Sequence, residues 1–200
     1  MKADNDLNKF LEASSYINWK DPKIKELSDS LAVQVSSENA LVKICFEWVR
    51  DNIKHSAEYK LNPITCKASD VLKHKTGYCF AKSHLLAAIL RANAIPTGLC
   101  YQRLSLDDVG APYSLHGLNA VYLKEFGWYR IDPRGNNNKV NAQFVPPREQ
   151  LAYPIRLKDE IDLPEIWTEP MPMIVDVLEK YETYQDVNKN LPDLHPSSIG

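Results

Sequence analysis

The longest nearly unbroken apolar stretch of the chain, Leu85 to Ala94, is led in by Thr76-Gly77-Tyr78-Cys79. That pairing constrains the fold more than any other feature. Leu85, Leu86, Ala87, Ala88, Ile89, Leu90, Ala92 and Ala94 leave no wide polar face, so a helix carrying them must be buried on most sides. Gly77 lets the backbone turn or approach another group closely, and the helix start falls at Cys79. A thiol at a helix N-terminus sits in the partial positive field of the first-turn N–H groups, which favours thiolate. Inert core cysteines also sit this way, packing as small hydrophobes. Whether this one does chemistry therefore depends on partners elsewhere in the chain.

Two hundred residues suit a single domain that buries about 70% of its unfolded surface. The expected organisation is one domain over 1–200, with N-terminal helices in 1–35, a core in 36–135 and an extension in 136–200 that wraps it. Hydrophobic residues make up 44%, charged residues 25%, and the net charge is -2. That balance gives no electrostatic case for nucleic acid or an anionic membrane as partner. Met1-Lys-Ala-Asp-Asn-Asp lacks the apolar centre of a signal peptide, and no run reaches the length of a membrane span. The expected location is cytoplasmic. Cys45, Cys66, Cys79 and Cys100 contain no C-x-x-C pair, so neither a zinc site nor another metal centre is expected from them. Free thiols, rather than disulfides, fit the expected compartment.

Leu7, Phe10, Leu11 and Ile17 predict a first helix. Asp21-Pro22 predicts the capped start of a second, with Ile24, Leu27, Leu31 and Val35 on one face. Leu41, Ile44, Cys45, Trp48 and Val49 mark a third, running from Ser36-Ser37 to about Ile53. His55 beyond it has two readings, a ligand or acid–base group and, more commonly at such a place, a surface residue compensating the helix C-terminus. Residues 56–68 read as a connection. Ser69-Asp70 caps a short helix that ends near Lys73-His74-Lys75, a solvated helix end. After Ile95-Pro96, strands are predicted over 97–104, 116–123 and 128–132, with a polar loop at 105–112 that carries Asp107 and Asp108. The fold class is α+β, an antiparallel meander beside helices. Beyond Gly135, prolines at 146, 147, 154, 164, 170 and 172 predict an extended segment laid over the core, then a helix from about Met173 to Tyr181. The last residues, Pro196 to Gly200, are expected to be loose.

Two polar residues of the meander complete the picture. His116 opens one strand and Asp132 ends the next. With an odd-length turn near 124–126, they fall opposite or diagonal on one face, within hydrogen-bonding reach. If the buried helix packs there, Cys79 meets the other ring nitrogen. That is a thiol nucleophile, its base and the group that orients the base. The other histidines are weaker candidates: His74 and His195 lie in polar surroundings, and His84 inside the helix reads as a satisfied core residue.

Three blocks carry a resemblance to the transglutaminase-like superfamily, papain-type enzymes with the catalytic order Cys, His, Asp. Gly77-Tyr-Cys79-Phe-Ala81 with Leu90-Arg-Ala-Asn-Ala-Ile-Pro96 is similar to the family's G-x-C helix ending in R-A-x-G-I-P. His116-Gly-Leu-Asn-Ala-Val-Tyr122 is similar to H-A-W-x-E-V-Y, and Gly127-Trp-Tyr-Arg-Ile-Asp132-Pro133 to G-W-x-x-x-D-P. The resemblance spans about 36–135. It implies a cysteine hydrolase or acyltransferase acting through a thioester on a protein, peptide or small amide, without a cofactor. A non-catalytic binding module on the same fold is the alternative. Departures are Leu118 for an aromatic, Asn119 near a common Glu, Ala94 for Gly, and Asp132-Pro-Arg134 for the commoner Asp-Pro-Thr. The first two are expected to alter the pocket. No acidic loop of calcium-ligand pattern is evident.

Overall fold

A computed structural model describes residues 1–194; the expected loose end and His195 lie outside them. A single turn of 3-10 helix at Leu7–Leu11 precedes α1 (Pro22–Ala32) and α2 (Glu38–Asn52). Next come β1 (Lys54–His55), α3 (Ser56–Tyr59), α4 (Ala68–His74), β2 (Thr76–Gly77) and α5 (Cys79–Ala92). The meander is β3 (Thr97–Ser105), β4 (Tyr113–Leu123) and β5 (Gly127–Ile131). The remainder holds a hairpin, β6 (Gln143–Val145) and β7 (Arg148–Gln150), then β8 (Ile161–Asp162), α6 (Pro172–Lys180) and α7 (Tyr184–Lys189). The sheet order is β5-β4-β3-β8, all antiparallel. The architecture is α+β.

Helix starts follow their capping residues. Asp21 accepts the N–H groups of Lys23 and Ile24, and Ser37 accepts that of Ala40. The predicted first helix is shorter than its apolar stripe. Ser14 Oγ accepts from the N–H groups of Tyr16 and Ile17, so the backbone turns there instead of continuing. Phe10 and Ile17 are both buried but serve different clusters. β4 begins three residues before the predicted start, because Tyr113 to Leu115 pair with the end of β3.

α5 is the centre. Every residue from Cys79 to Arg91 is buried, and α1, α2, α4, β3 and β4 all pack on it. Two of those buried residues are cations, and both serve backbone. Lys82 donates to the carbonyls of Arg50 (3.2 Å) and Ile53, orphan acceptors at the end of α2. Arg91 donates to the carbonyls of Thr97, Glu12 and Thr168 at 2.9, 2.8 and 2.7 Å, tying the helix end to the N-terminal segment and the extension.

The described part of the stretch after Gly135 packs against the core. Val140, Ala142, Phe144, Ala152, Leu163, Ile174, Val177, Leu178 and Val187 join the same buried cluster as α5. The wrap also builds local structure that the proline pattern concealed, in the β6–β7 hairpin and α7. Among the described residues no helix is long and apolar enough to cross a membrane.

α5 ends in a Schellman turn: the N–H of Ile95 reaches the carbonyl of Leu90 and that of Ala94 reaches Arg91, both at 3.0 Å. Ala94 holds φ +57°, a left-handed conformation that costs an L-residue free energy. This accounts for glycine at that place in the resembled motif. Ala94→Gly is expected to stabilise the protein by about 0.5–1 kcal/mol after the unfolded-state entropy of glycine is counted, raising the melting temperature by roughly 1–4 °C. Thermal melts of the two proteins check it.

Candidate active site

The site forms where the sheet runs out of partners. β5 pairs with β4 only as far back as Ile131 opposite Asn119. The odd-numbered residues of β4 direct their N–H groups toward β5, so those before Asn119 face an open edge. Leu115 N–H finds Pro192 O at 2.8 Å, and Gly117 N–H finds Cys79 Sγ at 3.4 Å. The sulfur therefore occupies a strand-edge acceptor position.

Gly117 makes that approach possible. A Cβ on it would lie 2.7 Å from Phe80 Cδ1, 3.0 Å from Phe80 Cα and 3.2 Å from Phe80 N. Helix α5 thus starts in contact with the β4 backbone. Asn119, two residues on along the same face, donates to Ser83 O (3.0 Å) and Gly98 O (3.3 Å), locking helix to sheet. No side chain caps the start of α5. The N–H of Cys79, with no intrahelical acceptor, is left as a donor at the sulfur's own residue.

His116 Nε2 lies 2.7 Å from Asp132 Oδ2, the diagonal relation expected from the hairpin, and Nδ1 is left for Cys79. Asp132 is fully buried and also accepts the N–H groups of Arg134 on Oδ1 and Ala152 on Oδ2, both at 3.1 Å. Burial opposes charge on both groups. The His116 imidazolium nevertheless holds the Asp132 carboxyl below its usual range, helped by those N–H donors. Burial likewise disfavours the imidazolium, but the Asp132 carboxylate and the Cys79 sulfur outweigh it and push His116 up to about 10. Cys79, His116 and Asp132 lie together at this open edge. The other cysteines are free and buried, and burial pushes the thiols of Cys45, Cys66 and Cys100 up to about 12.

The cleft in front of the sulfur measures about 240 Å³. Tyr153, from the wrap, meets the His116 ring edge to face at 5.1 Å and forms one wall. The wrap thus lines the cleft with Tyr153, Pro154 and Leu191, and reaches Asp132 through the Ala152 N–H. Two expectations need correction. Leu118 and Asn119 do not line the cleft: Leu118 packs with Phe10, Cys100 and Ile166, and Asn119 lies between α5 and β3. His55 is not a surface residue but a cleft residue, paired in register with Gly77 and edge to face with Tyr78 at 5.4 Å. Burial, then the charges of Arg134 and Lys82, hold its pKa well below the ordinary value, so the ring is neutral. A histidine just past a helix whose next strand pairs with the Gly-x-Cys turn was the available signal.

The weaker candidates stay weak. His84 is buried, with Nδ1 2.8 Å from Cys66 O but Nε2 without a partner among the described residues, so it is a core residue only half satisfied, and His74 is exposed at a helix end. Asp108 is on the cleft rim, 2.5 Å from Arg156, and Asp107 is on the loop.

A profile of the transglutaminase-like superfamily matches residues 25–133. Among solved structures, a candidate cysteine protease from Cytophaga hutchinsonii superposes with a TM-score of 0.52 at 20% identity, covering 66% of this chain and 43% of that one. The periplasmic domain of TgpA from Pseudomonas aeruginosa follows with a TM-score of 0.46 at 21% identity, covering 64% and 47%. The chain spans less than half the length of either. No curated protein sequence matches it.

Two outcomes are expected. Gly117→Ala forces the backbone at Phe80 to move, so it should cost about 1–3 kcal/mol in a denaturant melt. The second concerns pH. The folded state keeps a proton on His116 up to about pH 10, whereas the unfolded chain releases it near 6.5. Its contribution to stability is therefore complete below 6.5 and is lost as pH rises through about 10. Lys82, depressed by burial to about 7, acts with the opposite sign in much of that window, because the folded state sheds its proton first. Melting curves of wild type and His116→Asn between pH 6 and 10 separate the two: the difference between the proteins should shrink steadily with rising pH.

Proposed function

The chain belongs to the transglutaminase-like superfamily, and we propose that it is a cysteine-dependent acyl enzyme, an amide hydrolase or acyltransferase using Cys79, His116 and Asp132. The observation that carries this reading is the 2.7 Å His116–Asp132 bond beside a sulfur mounted at an uncapped helix start. A buried carboxylate that already accepts two backbone N–H groups does not depend on a histidine for all of its solvation. Its placement keeps the imidazole charged and oriented, which is what a thiol nucleophile needs of its base.

The steps follow from the geometry. With the proton on His116, Cys79 Sγ attacks the carbonyl carbon, a C–S bond forms, and the carbonyl electron pair moves to oxygen. The backbone N–H of Cys79 donates to that oxyanion. The neutral ring of His55, in the same cleft, is suited to a second contact because it does not compete for the thiol proton. Collapse re-forms the carbonyl and breaks the C–N bond. The departing amine takes the proton from His116, leaving a thioester. Water or an amine then gives a proton to His116, attacks the thioester carbon and expels the sulfur, and the proton stays on His116. Water makes the protein a hydrolase, and an amine makes it a transferase. Asp132 holds the ring and stabilises its charged form throughout.

Iodoacetamide labelling at pH 7, mapped by mass spectrometry, tests the activation. A free thiol is only a few per cent ionised there, so the pair should raise Cys79 reactivity on the order of tenfold after its lower intrinsic nucleophilicity is allowed for. His116→Ala should remove that gain and give the labelling rate an ordinary thiol pH dependence. Equal rates in wild type and variant would sink the proposal. Cys79→Ala should abolish turnover of any amide substrate in a protein that still folds, with a melting temperature a few degrees lower because the Gly117 N–H loses its acceptor.

A further inference from the structure

The charged residues of the cleft are not equivalent. Arg156, on the rim, is paired with Asp108 at 2.5 Å. Glu160 accepts the N–H groups of Ser105, Arg156 and Leu157 at 3.1, 2.7 and 2.9 Å. Both are engaged in holding the loop and the wrap. Arg134 is different. Its backbone N–H donates to Asp132 Oδ1, so its position is tied to the carboxylate that orients His116. Its guanidinium carbon lies 5.7 Å from the centre of the Tyr153 ring, and its side chain is only 13% exposed. It lines the same cleft as Cys79.

Arg134 Nη1 donates to Glu58 Oε2 at 2.5 Å. Nε and Nη2 have no partner among the described residues and are not sealed from solvent. Those two nitrogens form one edge of the guanidinium, with parallel N–H bonds spaced to take both oxygens of a carboxylate. The Glu58 contact leaves that edge free and limits how the plane can turn. A part-desolvated fork held through Nη1 alone, with its Nε–Nη2 edge empty, is a binding group, whereas a surface ion pair would be exposed and mobile.

We propose that the cleft selects acyl substrates carrying a carboxylate close to the scissile carbonyl, and that the Nε–Nη2 edge of Arg134 binds it. This rests on Cys79 being the nucleophile. Asp132-Pro-Arg134 replaces the commoner Asp-Pro-Thr, so this selectivity comes from the chain's own departure from the pattern it resembles. The carboxylate has two possible sources with the same chemistry. It belongs either to the acyl part, as the α-carboxylate beside a side-chain amide, or to the leaving amine, as a C-terminal amino acid.

Iodoacetate and iodoacetamide deliver the same electrophilic carbon to sulfur and differ in carrying a carboxylate or an amide. In Arg134→Gln the iodoacetate rate at Cys79 is expected to fall about tenfold while the iodoacetamide rate stays within about twofold, the effect of losing one charged bidentate contact. Arg134→Lys, a point charge without the fork, should recover only part of the loss. Glu58→Gln, which leaves the fork in place, should not lower the iodoacetate rate. Parallel falls for both reagents, no fall for either, full rescue by Lys, or a Glu58→Gln protein that behaves like Arg134→Gln would each overturn the proposal. An iodoacetamide rate indifferent to His116 would instead overturn the nucleophile reading, so the two failures are distinct. Protection of wild-type Cys79 from iodoacetamide identifies the source. Better protection by glutamine than by its α-amide places the carboxylate on the acyl side. Better protection by a peptide acid than by its C-terminal amide places it on the leaving side. No preference in either pair counts against a carboxylate site.

Discussion

One hydrogen-bonding edge of β4 goes without a strand partner before Asn119, and the chemistry depends on what fills it. An unpaired buried N–H is costly, so the edge must be satisfied by something other than β5. Pro192 O takes one donor and Cys79 Sγ takes the next. The sulfur is thus positioned by the same rule that builds sheets. Its approach requires that nothing project from residue 117, and glycine meets that requirement against the backbone of Phe80. α5 is then held from every side: by Asn119 on the sheet, by Lys82 on the end of α2, and by Arg91 on the N-terminal segment and the wrap. An apolar helix immobilised this completely loses little further entropy in holding its first residue still.

The C-terminal wrap belongs to the site as much as the meander does. Ala152 N–H completes the solvation of the Asp132 carboxylate, and Tyr153 stands against His116. The hydroxyl of Tyr78, the residue before the nucleophile, is held between Tyr184 O and Asn188 Oδ1 of α7. A meander and helix without the wrap would leave Asp132 facing water, where its pull on the His116 proton is weakened by screening. The cleft is therefore narrow and walled, and its charged groups act at short range in a part-desolvated space.

Much of this was legible in advance for local reasons. The odd turn at 124–126 follows from where Leu123 and Gly127 must pair, and it sets His116 diagonal to Asp132. Capping residues Asp21 and Ser37 announce their helices, and alternation marks the strands. Past the end of the first helix at Leu11, the Ser14 hydroxyl takes the N–H groups of Tyr16 and Ile17 and turns the chain, a contest that an apolar stripe does not register. His55 was misread as solvent-facing because its burial comes from pairing with Gly77, a contact across more than twenty residues. The supposed pocket residues Leu118 and Asn119 went to the two faces of the sheet instead, since alternation sends neighbours to opposite sides.

The amino-acid sequence by itself determined the kinds of atoms available: one thiol at the head of a helix that has to be buried, one imidazole and one carboxylate in hairpin register. These depend on short-range periodicity and capping, which a single chain displays openly. Only the tertiary structure decided that β5 stops short, that Gly117 lets the sulfur reach the open edge, and that the wrap supplies Ala152, Tyr153 and the walls of the cleft. It also decided that Arg134 lines that cleft, with its guanidinium held to Glu58 through Nη1. Those outcomes depend on which distant backbone groups satisfy one another when the chain closes, and no local pattern encodes that pairing.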